Sequence, residues 1–219
     1  INTPTFLNYN GRIGIEIRGS SSQTLPKKGY GLTTLKADNT SNNNVELLGM
    51  PSENDWVLNG IAFDPSLIRD YLSYNLSRQI GNYATRTAYC EVVINGEYKG
   101  LYILQEKIKA GTDRVNVLKI GTSDISSPNV TGGFITKADK TTGGDPIAWS
   151  MPSYTTTVDF IHELPKPAAV LPAQTAYIYD QFLQLASTSN ANATSVINGY
   201  PSVIDLPSFV DFMLINELA

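Results

Sequence analysis

Histidine and cysteine each occur once among the 219 residues, as His162 and Cys90. A single cysteine rules out an intrachain disulfide and a thiolate metal cluster; its setting in "AYCEVVI" predicts a small buried core residue. A histidine-based catalytic triad would depend wholly on His162, which falls in a Pro-containing stretch expected to be loop. Charge is sparse as well. Only 16% of the residues are charged, against about 25% in an average domain. A net charge of -4 supplies no field to attract a nucleic acid backbone, so no nucleic acid partner is expected. No apolar run reaches the roughly 18 residues of a membrane helix. The phosphate-loop patterns G-x-x-x-x-G-K-[ST] and G-x-G-x-x-G are missing, as are the G-x-S-x-G elbow and the H-E-x-x-H zinc helix.

What is present suits a folded protein: 42% of the residues are hydrophobic, and the length is ample for a core. The weakly charged surface, rich in Ser, Thr and Asn, predicts an extracellular or cell-surface location. "RIGIEIRG" alternates, with Ile13, Ile15 and Ile17 on one face, as a half-buried strand does. "YGLTTLK" follows as its hairpin partner. In "DPSLIRDYLSYNLSRQIG", Asp64 is the expected cap, Pro65 suits the first turn and Gly81 the end of a helix, with Leu67, Ile68, Tyr71, Leu72, Leu76 and Ile80 as its apolar stripe. Asn95-Gly96 between two runs of strand formers predicts a type I′ hairpin, because that turn needs positive φ at both central residues. "GGFITKAD" reads as a strand, the stretch from Thr141 to Pro172 as surface loop, and "AQTAYIYDQFLQLAS" and "DLPSFVDFMLINELA" as helices. Together these predict one α+β unit over residues 1–219.

The segment "EIRGSSSQTLPKKGYGL" allows two readings. It is either a flexible, solvated turn between strands or an anion site, where small residues let the backbone close around phosphate and Arg18, Lys27 and Lys28 supply the charge.

Taken in order, "EIRGSSSQTLPKKGYGL", "DWVLNGIAFDPSLIRDYLSYNLSRQIG", "CEVVINGEYKGLYILQEKI", "GGFITKADK" and "DLPSFVDFMLINELA" resemble the spore coat protein H (CotH) kinase family over nearly the whole chain. The resemblance implies an atypical protein-kinase-like domain, with a mixed or antiparallel sheet, a helix packed after it and helices at the C-terminal end. It also implies phosphoryl transfer from ATP, with Mg²⁺ or Mn²⁺, to Ser or Thr hydroxyls of secreted or surface proteins. Arg18 and Lys28 match the family's "RG…KK" motif and would contact phosphates, or Lys27 would do so instead. Glu106, closing the "NGEYKGLYILQE" segment, would pair with the phosphate-binding lysine, line the nucleotide pocket or stand as an exposed edge carboxylate. Arg69 also matches the pattern, with a plain helix-face arginine as the other reading, and Trp56 is expected in the core.

Two departures qualify the resemblance. Lys137 stands where the family often has an acid. The family's catalytic and metal-binding aspartates, in a "WDxD"-like motif, would follow the helix resembling "SFVDFMLINELA", and Asp211 inside that helix is not their match. With Ile1 at the start and an apolar helix pattern running to Ala219, the expectation is an inactive fragment of a kinase-like domain that keeps the nucleotide-binding part. The alternative is a non-catalytic spore-coat or cell-surface assembly or adhesion module with the same shape.

Overall fold

The computed structural model describes residues 7–139, 141, 144–153 and 155–218; Ala219, the last residue of the final expected helix, lies outside them. The architecture is α+β, with antiparallel strand pairing and three α-helices among the described residues. By compactness the chain divides into two units, residues 1–108 with 214–219, and residues 109–213.

The first unit is built on a five-stranded sheet in the order β1-β2-β5-β7-β6. Its strands are β1 (Arg12–Arg18), β2 (Gly29–Leu35), β5 (Asp55–Asn59), β6 (Thr87–Ile94) and β7 (Glu97–Glu106), while β3 (Val45–Leu47) and β4 (Met50–Glu53) form a separate small hairpin. The β6–β7 connection is the expected type I′ turn, with Asn95 at φ 53° and Gly96 at φ 81°. One face of the sheet carries the core: Trp56, Leu58, Tyr102 and Leu104 cluster with Met50, and Tyr30, Leu32, Cys90 and Val92 pack on them. Trp56 is fully buried.

The opposite face follows from pairing, since opposed residues on neighbouring strands point the same way. One cross-strand row runs Glu16, Gly31, Val57, Gln105, Thr87. The next contains the pairs Arg18↔Gly29 and Asn59↔Ile103. Helix α1 (Arg69–Gln79) packs beside β6 through Tyr71, stacked on Tyr89 at 4.8 Å, and the Tyr89 hydroxyl donates to Leu67 O at 2.6 Å.

Two local expectations change. Ile13, Ile15 and Ile17 are each about half exposed (48%, 47% and 53%), because β1 is an edge strand and has a neighbour on one side only. Helix α1 starts five residues later than Asp64, since Leu67 adopts a left-handed φ of 61°. Asp64 still serves the helix start: its carboxylate accepts from the N–H groups of Ser66 (2.9 Å) and Arg69 (2.8 Å).

The second unit overturns the loop expected between Thr141 and Pro172. Strands β9 (Trp149–Pro152) and β10 (Thr157–Leu164) lie there, and β10 is the central strand of a sheet ordered β8-β10-β9, with β8 at Ile135–Ala138. A strand flanked on both edges and buried on both faces shows no clean alternation: neighbouring Ile161 and His162 are both buried. Helix α2 (Pro172–Asn190) begins with Pro172, and its buried Gln174 accepts from the Leu171 N–H (3.0 Å) while donating to Gly121 O (2.7 Å). Helix α3 spans Leu206–Leu218 and contains Asp211. Among the described residues, no helix is long and apolar enough to cross a membrane.

The hairpin turn provides a direct check. A Cβ on Gly96 would meet nothing within 4 Å, so Gly96→Ala carries only the left-handed backbone cost of about 1–2 kcal/mol. A urea unfolding curve followed by tryptophan fluorescence should show that loss as a lower midpoint with an unchanged slope.

Candidate functional site

The sheet face opposite the core carries a hollow of about 220 Å³, lined by residues that include Arg18, Lys27, Gly29, Asn59, Ile61 and Gln105. It exists because small residues stand where side chains would otherwise fill the row. Gly29 pairs with Arg18 across β1 and β2, and a Cβ there would sit 3.5 Å from Leu58 O and 3.8 Å from Arg18 Cγ, an ordinary contact. A methyl group would therefore fit at Gly29 without a clash, and Arg18 closes β1 at its rim just before Gly19 turns the chain with φ 105°.

The far end of the hollow is shaped by the departure of β5. Its pairing with β7 stops at Asn59↔Ile103, and the chain then turns through buried Ile61, a β-branched residue at φ 47°. Left-handed backbone is costly for such a residue. Asn59 supports the turn, accepting from the Ile61 N–H at 2.9 Å and donating to Asp70 Oδ2 on α1 at 2.6 Å. Gly60 allows the close approach within it, since a Cβ would lie a tight 3.1 Å from Lys28 O.

Beyond the last β5 pair, the Lys27 ammonium donates to the Leu101 carbonyl of β7. It also stands 4.8 Å from the centroid of the Tyr102 ring, a cation-π contact. Burial pushes the Lys27 pKa down from its ordinary value. A partly desolvated cation, held by one neutral carbonyl and one ring face, retains donor capacity for an anion.

The expected site residues separate. Arg18 and Lys27 line the same hollow. Lys28 is not among its described lining residues; its ammonium donates to Gln23 O at 2.6 Å, closing the loop that contains the short 3₁₀ turn Ser21–Thr24. Glu106 is buried, at 1% exposure, and so is not an exposed edge carboxylate. Its Oε1 accepts from the Arg86 guanidinium and its Oε2 from the Arg86 N–H, both at 2.9 Å. Strand alternation explains this: Glu106 opposes core residue Trp56, whereas Gln105 opposes Val57 on the other face and lines the hollow. Sequence reasoning singled out neither Gln105 nor Asn59, although the period of two along β7 carries the signal for Gln105. Arg69 is the plain helix-face arginine, largely exposed and 3.7 Å from Asp64.

The first unit thus presents an antiparallel sheet whose hollow brings together the cationic residues Arg18 and Lys27 beside Gly29, a lining that suits an anionic ligand. The family described as CotH kinase protein matches residues 15–219. The chain belongs to the CotH kinase family, and is a kinase-like protein in that sense. No curated protein matches it.

His162 in the second unit is buried in β10 rather than in a loop. Nε2 is 3.1 Å from Thr175 Oγ1, the ring meets Trp149 edge-on at 5.5 Å, Thr136 opposes it on β8, and Nδ1 has no partner among the described residues. Burial lowers its pKa from the ordinary 6.5. The unfolded chain then binds the proton more readily than the folded one, so stability is full above 6.5 and falls as the pH drops towards the folded value. The thermal midpoint should decrease between about pH 7.5 and pH 5, and His162→Gln should make that decrease smaller.

Proposed function

We propose that this chain carries the nucleotide-binding part of an atypical, kinase-like protein acting outside the cytoplasm, which transfers phosphate from ATP to Ser or Thr hydroxyls of secreted or surface proteins. The observation that carries the reading is that Arg18 and Lys27 line one hollow together with Gly29. A triphosphate is neutralised by such cations, and phosphoryl transfer depends mainly on positioning and electrostatics. The order of elements supports a kinase-like fold: hairpin β1–β2, then β5, then α1, then hairpin β6–β7, all five strands in one antiparallel sheet. Ordinary protein kinases likewise rely on sheet-borne cations and a helix beside them.

ATP, when bound, supplies the γ-phosphoryl group that the hydroxyl oxygen receives as ADP leaves. The residues here bind and orient. Arg18 offers a fork of donors to phosphate oxygens, Lys27 adds a charge held by Leu101 and Tyr102, and Gly29 adds no side chain to the lining. Among the described residues no three His, Cys, Asp or Glu side chains converge to hold a metal ion, so the Mg²⁺ or Mn²⁺ that the family reading implies is assigned no ligands or step.

Calorimetric titration of the purified chain with ATP tests the reading. Arg18→Ala should weaken binding about tenfold or more, the range of a charge-assisted hydrogen bond. Gly29→Ala, which introduces a methyl group without a clash, should weaken binding while leaving the thermal midpoint unchanged or raised. Absence of binding by the unmodified chain would overturn the nucleotide reading and leave the non-catalytic assembly module in its place.

A further inference from the structure

We propose that the Ser22 hydroxyl is a third phosphate-binding group of this hollow, donating a hydrogen bond to the phosphate that Arg18 holds. The proposal rests on the nucleotide reading above and deepens it, by assigning to the site one of the three consecutive serines Ser20, Ser21 and Ser22.

The polar side chains of the hollow differ in what they have left to offer. Asn59 is engaged at both ends, with the Ile61 N–H and with Asp70. The Lys27 ammonium already donates to the Leu101 carbonyl, and the Gln105 oxygen is buried. Arg18 and Ser22 line the hollow as well, and neither side chain has a hydrogen-bond partner among the described residues. Ser22 is half-buried, and its hydroxyl, unlike the Gln105 oxygen, is not sealed from solvent.

The chain between the two residues brings them together. A Cβ on Gly19 would lie 2.0 Å from Ser22 Oγ, so the hydroxyl is folded back against the residue next to Arg18. Other members of the loop hold it there. Gln23 Nε2 donates to Gly19 O at 2.5 Å, the Gln23 N–H to Ser20 O at 3.1 Å and the Leu25 N–H to Ser22 O at 3.2 Å, while the Lys28 ammonium closes on Gln23 O. These bonds use the backbone of Ser22 and leave its hydroxyl unused. Ser20 and Ser21 are exposed and are not among the described lining residues. A guanidinium has donors only, and a hydroxyl has one donor that rotates to suit. A phosphate oxygen accepts from both, and a hydrogen bond to a charged oxygen is stronger than one between neutral groups. The hydroxyl adds direction, which the point charge of Lys27 does not.

The test is calorimetric titration of the purified chain with ATP and with inorganic tripolyphosphate, which carries the phosphates without the nucleoside. Ser22→Ala should weaken both about tenfold, the range of one hydrogen bond to a charged group. Ser21→Ala, one residue away and not part of the lining, should change neither, and thermal melts of both variants should match that of the unmodified chain. Ser22→Asp is the second variant: its carboxylate beside Arg18 should abolish tripolyphosphate binding. Unchanged affinity in Ser22→Ala, an equal loss in Ser21→Ala, or tripolyphosphate binding that survives Ser22→Asp overturns the role of Ser22 and leaves the nucleotide reading intact. Failure of the unmodified chain to bind either probe overturns both.

Discussion

The departure of β5 from its sheet after Asn59 is the constraint on which the rest of the first unit's site depends. As long as β5 runs beside β7, backbone pairing fills the sheet. Once it turns away through Gly60 and Ile61, β7 continues without that neighbour, and the Leu101 carbonyl is taken up by Lys27. The same turn supplies Ile61 to the wall of the hollow and sets the Gly60 backbone against Lys27 and Lys28. A lysine in solvent would be strongly hydrated. Here it is bound to a carbonyl, set over a ring and partly desolvated.

Cost and function meet at Ile61. Positive φ in a β-branched residue is of order 1–3 kcal/mol unfavourable, and it persists because the surroundings fix it. Asn59 joins the turn to Asp70 on α1 through two short hydrogen bonds, so helix, turn and sheet are tied at the edge of the hollow. A few hydrogen bonds of about 1 kcal/mol each are comparable with that strain, which is enough to hold the turn without a large dedicated core. The Glu106–Arg86 pair has a different task. Lying on the core side, it anchors the end of β7 to the Arg86 backbone as well as to its side chain, and a buried carboxylate with both oxygens engaged is far less costly than a lone one.

Legibility in the sequence followed the range of the interaction concerned. Asn95-Gly96 was readable because a tight turn is decided by its own two residues. Helix α1 was readable as a helix, but its start was displaced by the left-handed Leu67 and the reach of Asp64 to Arg69, a geometry that composition does not announce. Strands β9 and β10 were hidden among Pro, Gly, Ser and Thr, and Ile161 beside His162 gives no alternation because β10 is buried on both sides. The basic cluster was visible as charge, yet the chain alone left open which lysine joins Arg18.

By itself, then, the sequence determined the α+β character, the hairpins, the absence of thiolate and histidine-rich chemistry, and the ordered segments of the CotH kinase family, since each rests on local spacing or on residue identity. Tertiary structure alone decided that Lys27 and not Lys28 lines the hollow with Arg18, that Glu106 turns to Arg86, and that Gln105 stands on the face that carries the hollow. Those outcomes depend on strand register across residues up to 74 positions apart, as between Lys27 and Leu101. A shift of one residue exchanges the two faces of a strand, and the register is fixed only when the whole sheet has formed.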